Sequence, residues 1–199
     1  IKTVSGGISV LEPSRTLFIV LKTPVISKAI YLGSSNIYKV TSFQENSDLA
    51  ALPQLTLEAR VYMLGFQTRD PYISSIMGIE GKFLVRIGDS GVDPNQIQVA
   101  SSRNLTNSDL KLDAGRWYHV AVTFESGNVK VYLDGAEKCS GNVGTSSVNF
   151  GVAHSDESDG KPRCFWIGYS YASDRYFDGQ ISEVRIWNLS LIHISEPTR

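Results

Sequence analysis

The sequence has no long apolar run and no basic cluster, and each absence excludes a class of function. No segment approaches the roughly 20 apolar residues that a membrane-spanning helix requires. Lysine and arginine together number 19 against 20 for aspartate and glutamate, which gives a formal net charge of -1. No basic stretch is interleaved with aromatic residues, so the electrostatic footprint of a nucleic-acid-binding protein is missing. We expect neither a membrane span in this chain nor a nucleic-acid partner.

Cysteine and histidine are also scarce, with two and three residues respectively. There is no CxxC motif, and no histidine lies near a cysteine at a zinc-like spacing, so a structural zinc is not expected. Cys139 and Cys164 could form a disulfide in an oxidising compartment or could remain two buried thiols, because spacing alone does not determine geometry. The chain opens on Ile1 without a charged and then apolar leader, and we expect its true N-terminus to lie upstream.

What the sequence does contain is alternation of apolar and polar residues, which predicts β-strands. The alternation is clearest over 55–63, and it recurs at 118–124 and 129–133 on either side of a polar turn. Asp134-Gly135 predicts a further hairpin turn. Other candidate strands are 72–77, 82–87, 96–100, 165–169 and 177–187. With 42% hydrophobic residues and no sustained helical period, the chain is predicted to form a two-sheet antiparallel sandwich or a barrel.

The two ends of the chain depart from this pattern. Residues 1–25 hold two strand-like runs separated by Glu12-Pro13-Ser14-Arg15, and a lone hairpin is barely stable in water. We interpret 1–25 as the C-terminal hairpin of a truncated upstream module and 28–188 as the main domain. Residues 189–199 resemble, codon for codon, the translation of a transposase sequencing adapter, and are predicted to be a non-native tail.

Four motifs follow one another along the main domain. They are Gly-Arg-Trp-Tyr-His-Val-Ala-Val-Thr-Phe at 115–124, Val-Lys-Val-Tyr-Leu-Asp-Gly at 129–135, Phe-Trp-Ile-Gly-Tyr at 165–169 and Phe-Asp-Gly-Gln-Ile-Ser-Glu-Val-Arg-Ile-Trp-Asn at 177–188. In this order they resemble the laminin-G-like, concanavalin A-like lectin/glucanase superfamily. The resemblance implies an all-β fold, a jelly-roll sandwich of two antiparallel sheets. The motif residues are mainly strand and turn determinants, so they do not specify a ligand.

The first seven residues, with the hairpin after them, resemble the tail of the small Ig-like module of Bacteroidetes surface lipoproteins. In that group the module precedes a glycosidase domain or a laminin-G-like domain, often within glycan-utilisation systems. The resemblance implies export, a lipid anchor upstream of this chain and display on the extracellular face of the outer membrane. It also implies other outer-membrane glycan-uptake proteins as partners, and we expect the chain itself to be a monomer.

The sequence lacks the paired carboxylates that glycoside hydrolysis requires. Such pairs lie about 5 to 9.5 Å apart, and the glucanase relatives carry them in an E-x-D-x-(x)-E pattern that does not occur here. Glu58 and Glu183 each stand two residues from an arginine. We therefore expect two cross-strand ion pairs, Glu58 with Arg185 and Arg60 with Glu183, in place of a catalytic pair. His119 has an outward register and no nucleophile near it in sequence, and we interpret it as structural.

Aromatic and charged residues are concentrated in two predicted loops, 65–72 and 169–176. Aromatic rings can pack on a pyranose while planar polar side chains bind its hydroxyls, which makes the loops a candidate glycan-binding site, although the same rings could instead pack over the sheet ends. The candidate residues are Phe66, Arg69, Asp70, Tyr72, Tyr171, Asp174, Arg175 and Tyr176. Trp117 and Trp187 match fold-motif positions and are predicted to be core residues.

Two acidic loops could hold calcium, because this cation takes clustered oxygen ligands. One loop carries Asp89 and Asp93, and the other carries Asp156 and Asp159. Neither follows the EF-hand pattern, and solvated turn residues are the alternative. No other cofactor is expected.

Together these features predict a non-catalytic, lectin-like carbohydrate-binding module of a bacterial cell-surface lipoprotein. It would capture a polysaccharide or a glycoprotein glycan for a glycan-utilisation system. The alternative is a structural or adhesive spacer domain that binds a protein partner. A glycoside hydrolase is disfavoured by the missing carboxylate pair.

Overall fold

A computed structural model of the 199-residue chain describes residues 2–4, 8–11, 18–21, 30–32, 38–40, 49–151, 165–170 and 174–190. Within these ranges the protein forms strands and turns without an α-helix, and nothing helical there is long and apolar enough to span a membrane. The strands are β1 (Lys2–Val4), β2 (Ile8–Leu11), β3 (Phe18–Leu21), β4 (Ile30–Leu32), β5 (Tyr38–Val40), β6 (Gln54–Met63), β7 (Ser74–Ile79), β8 (Phe83–Asp89), β9 (Val92–Ala100), β10 (Leu105–Lys111), β11 (Trp117–Glu125), β12 (Asn128–Leu133), β13 (Ala136–Asn142), β14 (Phe165–Ile167) and β15 (Gly179–Trp187).

The strands form two six-stranded antiparallel sheets and one small sheet. Sheet 1 has the order β10-β9-β8-β7-β14-β5, and sheet 2 has the order β13-β12-β11-β6-β15-β4. Side chains from both large sheets share one hydrophobic core, so the sheets pack face to face as the predicted sandwich. The third sheet, β1-β2-β3, contains the N-terminal hairpin, and its strand β3 contacts β15. The division into 1–25, 28–188 and 189–199 stays a prediction.

Strict alternation along β6 determines which face of sheet 2 is buried in the core. Its inward residues, from Leu55 through Leu57 to Met63, are almost completely inaccessible to solvent. Burying an aliphatic side chain of this size contributes about 1.5–3 kcal/mol. Glu58 and Tyr62 point to the opposite side, which we call the outer face of sheet 2. Sheet 1 has a corresponding outer face.

Both turns of the β11–β12–β13 meander follow the sequence prediction. Ser126 and Gly127 have φ values of 47° and 94°, and Asp134 and Gly135 have values of 51° and 79°. Two consecutive residues with positive φ are characteristic of the two-residue turn whose twist matches that of a hairpin. The first turn fixes the register of β11 against β12, in which Val122 lies opposite Val131. On the other side of β11, Val122 lies opposite Leu57 of β6.

Cys139 lies on β13 as a buried free thiol, and burial raises its pKa above the ordinary value. Cys164, its predicted alternative partner, lies outside the described residues. The buried thiol is one of the two states that the sequence left open.

Candidate functional site

The two aromatic loops meet where β6 ends and β15 begins. Gln67 Nε2 donates a hydrogen bond to the carbonyl oxygen of Tyr176 at 3.0 Å. The amide of Leu64 donates to the carbonyl of Asp178 at 2.9 Å, and the amide of Ser75 donates to the carbonyl of Arg175 at 3.2 Å. The segments 64–72 and 174–178 therefore form one continuous surface. We call this surface the loop site.

The tip of the first loop is a tight turn. The amide of Tyr72 donates to the carbonyl of Arg69 at 2.7 Å across a cis Asp70–Pro71 bond, and Tyr72 has a φ of 62°. The Tyr72 carbonyl lies directly over β8, where a Cβ on Gly88 would stand only 2.1 Å from it. Because every other residue carries that carbon, the close approach of loop and strand requires glycine.

The candidate residues differ in how much solvent they meet. Arg69 and Asp70 are exposed, whereas Phe66 is half-buried and packs against the hydrophobic core. The remaining described candidates are half-buried, namely Tyr72, Asp174, Arg175 and Tyr176. Tyr171 lies outside the described residues. Exposed polar groups beside half-buried aromatic rings give a surface suited to a polyhydroxylated ligand.

Beneath the loop site, the outer face of sheet 1 carries a buried arginine. Arg86 Nε and Nη2 donate to Gln98 Oε1 at 2.9 and 2.6 Å, and Nη1 lies 3.3 Å from Glu80 Oε1. Nη2 also pairs with Asp89. On the side of the second loop, Arg175 Nη1 lies 3.2 Å from Glu80 Oε2. Glu80 therefore bridges Arg86 and Arg175, and its carboxylate links the sheet to the loop site.

The same network reaches the first loop. Ser90 Oγ donates to Asp70 Oδ1 at 3.1 Å, while the amide of Ser90 donates to Asp89 Oδ1 at 2.9 Å. Arg86 is therefore linked to both loops, to one through Glu80 and to the other through the turn at Asp89-Ser90. The sequence analysis did not identify Arg86, because its partners lie on β9, at the end of β8 and in the β7–β8 turn.

The two proposed calcium ligands that the structure describes, Asp89 and Asp93, have protein partners. Asp89 pairs with Arg86, and Asp93 Oδ2 lies 2.6 Å from Lys111 Nζ. In the part of the chain that the structure describes, no three His, Cys, Asp or Glu side chains are grouped so as to hold a metal ion. The second calcium loop, with Asp156 and Asp159, lies outside that part. Calcium binding stays a prediction, and at Asp89 and Asp93 it would have to displace ion pairs.

A second polar cluster occupies the outer face of sheet 2, centred on Glu58. This residue is only 6% exposed. Its Oε2 lies 3.1 Å from His119 Nε2, and its Oε1 accepts a hydrogen bond from Trp187 Nε1 at 2.8 Å. Arg185, directly opposite on β15, brings Nη1 to 3.8 Å from Oε1. The predicted Glu58–Arg185 pair is thus confirmed, and so is the Arg60–Glu183 pair, at 4.0 Å.

The environment of Glu58 favours its ionised form. Burial acts to raise its pKa, but the hydrogen bonds from His119 and Trp187 and the charge of Arg185 outweigh burial and hold the pKa below the ordinary value of 4.5. Both carboxylate oxygens are engaged by protein groups. Glu58 is therefore a stably charged structural group, whereas a general acid would need a raised pKa.

The two tryptophans correct a sequence prediction. Trp117 is 36% exposed and Trp187 is half-buried, so neither belongs to the apolar core. The register explains why: Trp117 lies opposite Tyr62 and Trp187 lies opposite Thr56, both of which are outer-face residues. Trp187 binds Glu58, whereas the ring of Trp117 packs on Tyr62 with a centroid separation of 5.5 Å and a tilt of 49°.

Comparison with protein families agrees with this geometry. Residues 39–193 match the family described as the concanavalin A-like lectin/glucanases superfamily. The chain belongs to this superfamily. A comparison with curated proteins finds no match.

Among solved structures, a Bacteroides ovatus protein with a provisional assignment as carbohydrate-binding is similar to the chain. It shares 26% identity with a TM-score of 0.60, over 83% of this chain and 42% of that one. Domain 4 of AbnA, an extracellular GH43 arabinanase of Geobacillus stearothermophilus solved with arabinotriose, shares 22% with a TM-score of 0.57, over 94% and 78%. A heptameric pentraxin of Limulus polyphemus shares 16% with a TM-score of 0.51, over 72% and 67%. The last two show the fold alone. This chain spans 42% of the Bacteroides protein's length.

Proposed function

We propose that this protein is a non-catalytic carbohydrate-binding module that captures a glycan at the loop site. The observation that carries the proposal is the junction of segments 64–72 and 174–178. Tyr72, Arg69 and Asp70 belong to the first segment and Tyr176 to the second, and hydrogen bonds join the two segments. Aromatic faces and planar charged groups held together on rigid strand ends are suited to binding sugar rings.

Three of the described glutamates support binding without catalysis. Glu58 has both oxygens engaged, Glu183 pairs with two arginines, and Glu80 pairs with another two. A glycosidase needs one carboxyl that can donate a proton and a second that can attack or activate water. The oxygens of these three carboxylates are already engaged by protein groups, and the lowered pKa of Glu58 disfavours the protonated form that a general acid needs.

We also propose that the module belongs to an exported bacterial lipoprotein displayed on the outer membrane, where it supplies a glycan-utilisation system. Two observations support this setting. The N-terminal hairpin resembles the end of an Ig-like module of such lipoproteins, and the Bacteroides ovatus protein is similar in sequence and fold.

A glycan array followed by calorimetry tests the binding function. The array carries plant and host glycans together with arabino-oligosaccharides, since the arabinanase domain was solved with arabinotriose. We expect Tyr72→Ala and Tyr176→Ala to weaken binding of the glycans found by at least about tenfold, which is the usual effect of losing an aromatic anchor. Lys138→Ala, an exposed change on β13, serves as the control and leaves affinity unchanged.

Two results would contradict this function. Release of reducing ends from an array glycan would show catalysis. If no glycan binds while a protein partner is captured, the spacer function takes its place.

A further inference from the structure

The outer face of sheet 2 exposes an aromatic patch next to the loop site. Among the residues whose side chains the structure describes, two large hydrophobic side chains are exposed, Leu64 at 51% and Trp117 at 36%. Tyr62 faces Trp117 across the β6–β11 ladder, and Leu64 follows two residues later, just beyond the end of β6. Exposed apolar side chains concentrated at one place indicate a binding surface more strongly than scattered ones do.

Polar side chains with planar groups surround this patch. Gln180 lies opposite Tyr62 on β15, so Trp117, Tyr62 and Gln180 form one cross-strand row. The row spans two strand spacings, roughly 10 Å. Arg60, one position along the same face of β6, pairs with Glu183, and the side chains of both are about one-third exposed. Aromatic rings flanked by an amide, a guanidinium and a carboxylate provide stacking and hydrogen bonding together.

The patch is continuous with the loop site. Tyr62 leads through Met63 and Leu64 into the first loop, and the amide of Leu64 bonds the carbonyl of Asp178 in the second. Gly115, two residues before Trp117, donates its amide to the carbonyl of Met63 at 2.8 Å. The start of β11 is therefore fastened to the end of β6, where the loop begins.

From these observations we infer that Trp117 and Tyr62 form a second sugar-binding subsite, which holds an additional ring of a glycan whose other rings occupy the loop site. The inference rests on the proposed function. It defines the ligand class as an oligosaccharide or polysaccharide long enough to run from the loops across the sheet. A protein partner fits less well, because among the described side chains the apolar patch comprises Leu64, Tyr62 and Trp117 and is bordered by charges that already pair with each other.

Calorimetry with a graded set of oligosaccharides tests the subsite. The probes are cello-, xylo-, manno-, galacto- and arabino-oligosaccharides from disaccharide to hexasaccharide. For the series that binds, we expect Trp117→Ala to lower hexasaccharide affinity roughly tenfold and to leave disaccharide affinity unchanged, because only the longer chain reaches the patch. Trp117→Phe retains a ring and should recover most of the loss. Lys130→Ala, on the same face but exposed on β12, is the matched control.

The outcomes separate this inference from the function on which it rests. Hexasaccharide binding that is unchanged in Trp117→Ala but lost in Tyr72→Ala overturns the subsite and leaves the function intact. Equal losses for short and long probes also overturn it, because Trp117 would then belong to the primary site. If the wild-type protein binds no probe in any series, the subsite is overturned, and the proposed function fails with it when the array of plant and host glycans also yields no ligand. Thermal unfolding of each variant verifies that the fold is retained.

Discussion

At the scale of single residues, the structure separates charged groups that stabilise the fold from groups that meet solvent. Glu58 and Arg86 are both buried on outer sheet faces. Glu58 has partners on β11 and β15, whereas the partners of Arg86 lie on β9, at the end of its own strand and in the β7–β8 turn. The sequence predicted Glu58 with Arg185, because both lie on strands that were expected to be neighbours. It did not predict Glu58 with His119, because those residues are diagonal across β6 and β11, and their contact depends on side-chain direction.

Replacing Glu58 tests whether its negative charge stabilises the fold. Its folded pKa lies below 4.5, so the ionised group stabilises the fold above that pH, and the stabilisation is lost as pH falls through the lower folded value. We expect Glu58→Gln to lower the free energy of unfolding by about 1.5–3 kcal/mol at neutral pH, the range for hydrogen bonds to charged groups. The difference from wild type should shrink in acid. Urea unfolding across the pH range measures both effects.

Glu137→Gln is the control for that experiment, because Glu137 is exposed and pairs only with a lysine at the surface in the described contacts. It should change stability little at any pH. A Glu58→Gln variant that is as stable as wild type at neutral pH would show that the cluster does not stabilise the charged group.

At the scale of strands and turns, prediction succeeded where one face of a strand enters the core. β6, β11 and β12 alternate clearly, and their turns carry residues that accept positive φ. β10 was not predicted, because it is an edge strand whose central residues are exposed and polar. Such a strand is held by backbone pairing with β9, and its sequence carries little periodic signal. Prediction from periodicity is therefore weakest at sheet edges.

The contact between β8 and the first loop gives a prediction at this scale. Gly88 and Gly91 have nearly equal φ values, 74° and 80°, but a Cβ on Gly88 would strike the Tyr72 carbonyl whereas one on Gly91 would meet open space. Gly91→Ala should show only the backbone cost, about 1 kcal/mol. Gly88→Ala should cost more and should also displace Tyr72, which weakens glycan binding.

Chemical denaturation of both variants, with calorimetry against an array glycan, distinguishes the backbone cost of the substitution from the cost of the clash with the Tyr72 carbonyl. Equal destabilisation with unchanged binding in both would mean that the loop moves away from β8 without consequence for the site.

At the scale of the whole molecule, the two sheets bring together segments that are distant in sequence. The loop site joins residues near 70 to residues near 175. Composition alone predicted both segments as parts of a binding site, because each mixes aromatic and charged residues. Their junction, however, depends on the antiparallel pairing of β6 with β15, which brings the end of β6 and the start of β15 to the same end of sheet 2. The sequence motifs predicted the sandwich. The polar network below the loops depends on the same packing and has no local pattern by which it could have been found.

The final prediction concerns that network. Arg86 joins Gln98, Glu80 and Asp89 through a planar guanidinium. Lysine retains the charge but lacks the planar set of N–H donors that contacts three partners at once. We expect Arg86→Lys to lower the free energy of unfolding by about 1–3 kcal/mol and to weaken glycan binding, because Glu80 and Asp89 no longer hold the two loops in place. Urea unfolding and calorimetry provide the two readouts, with Arg103→Lys at an exposed position as the matched control. Binding that survives intact in a destabilised Arg86→Lys protein would show that the loops keep their arrangement through backbone contacts alone, and that Arg86 supports the sheet and not the site.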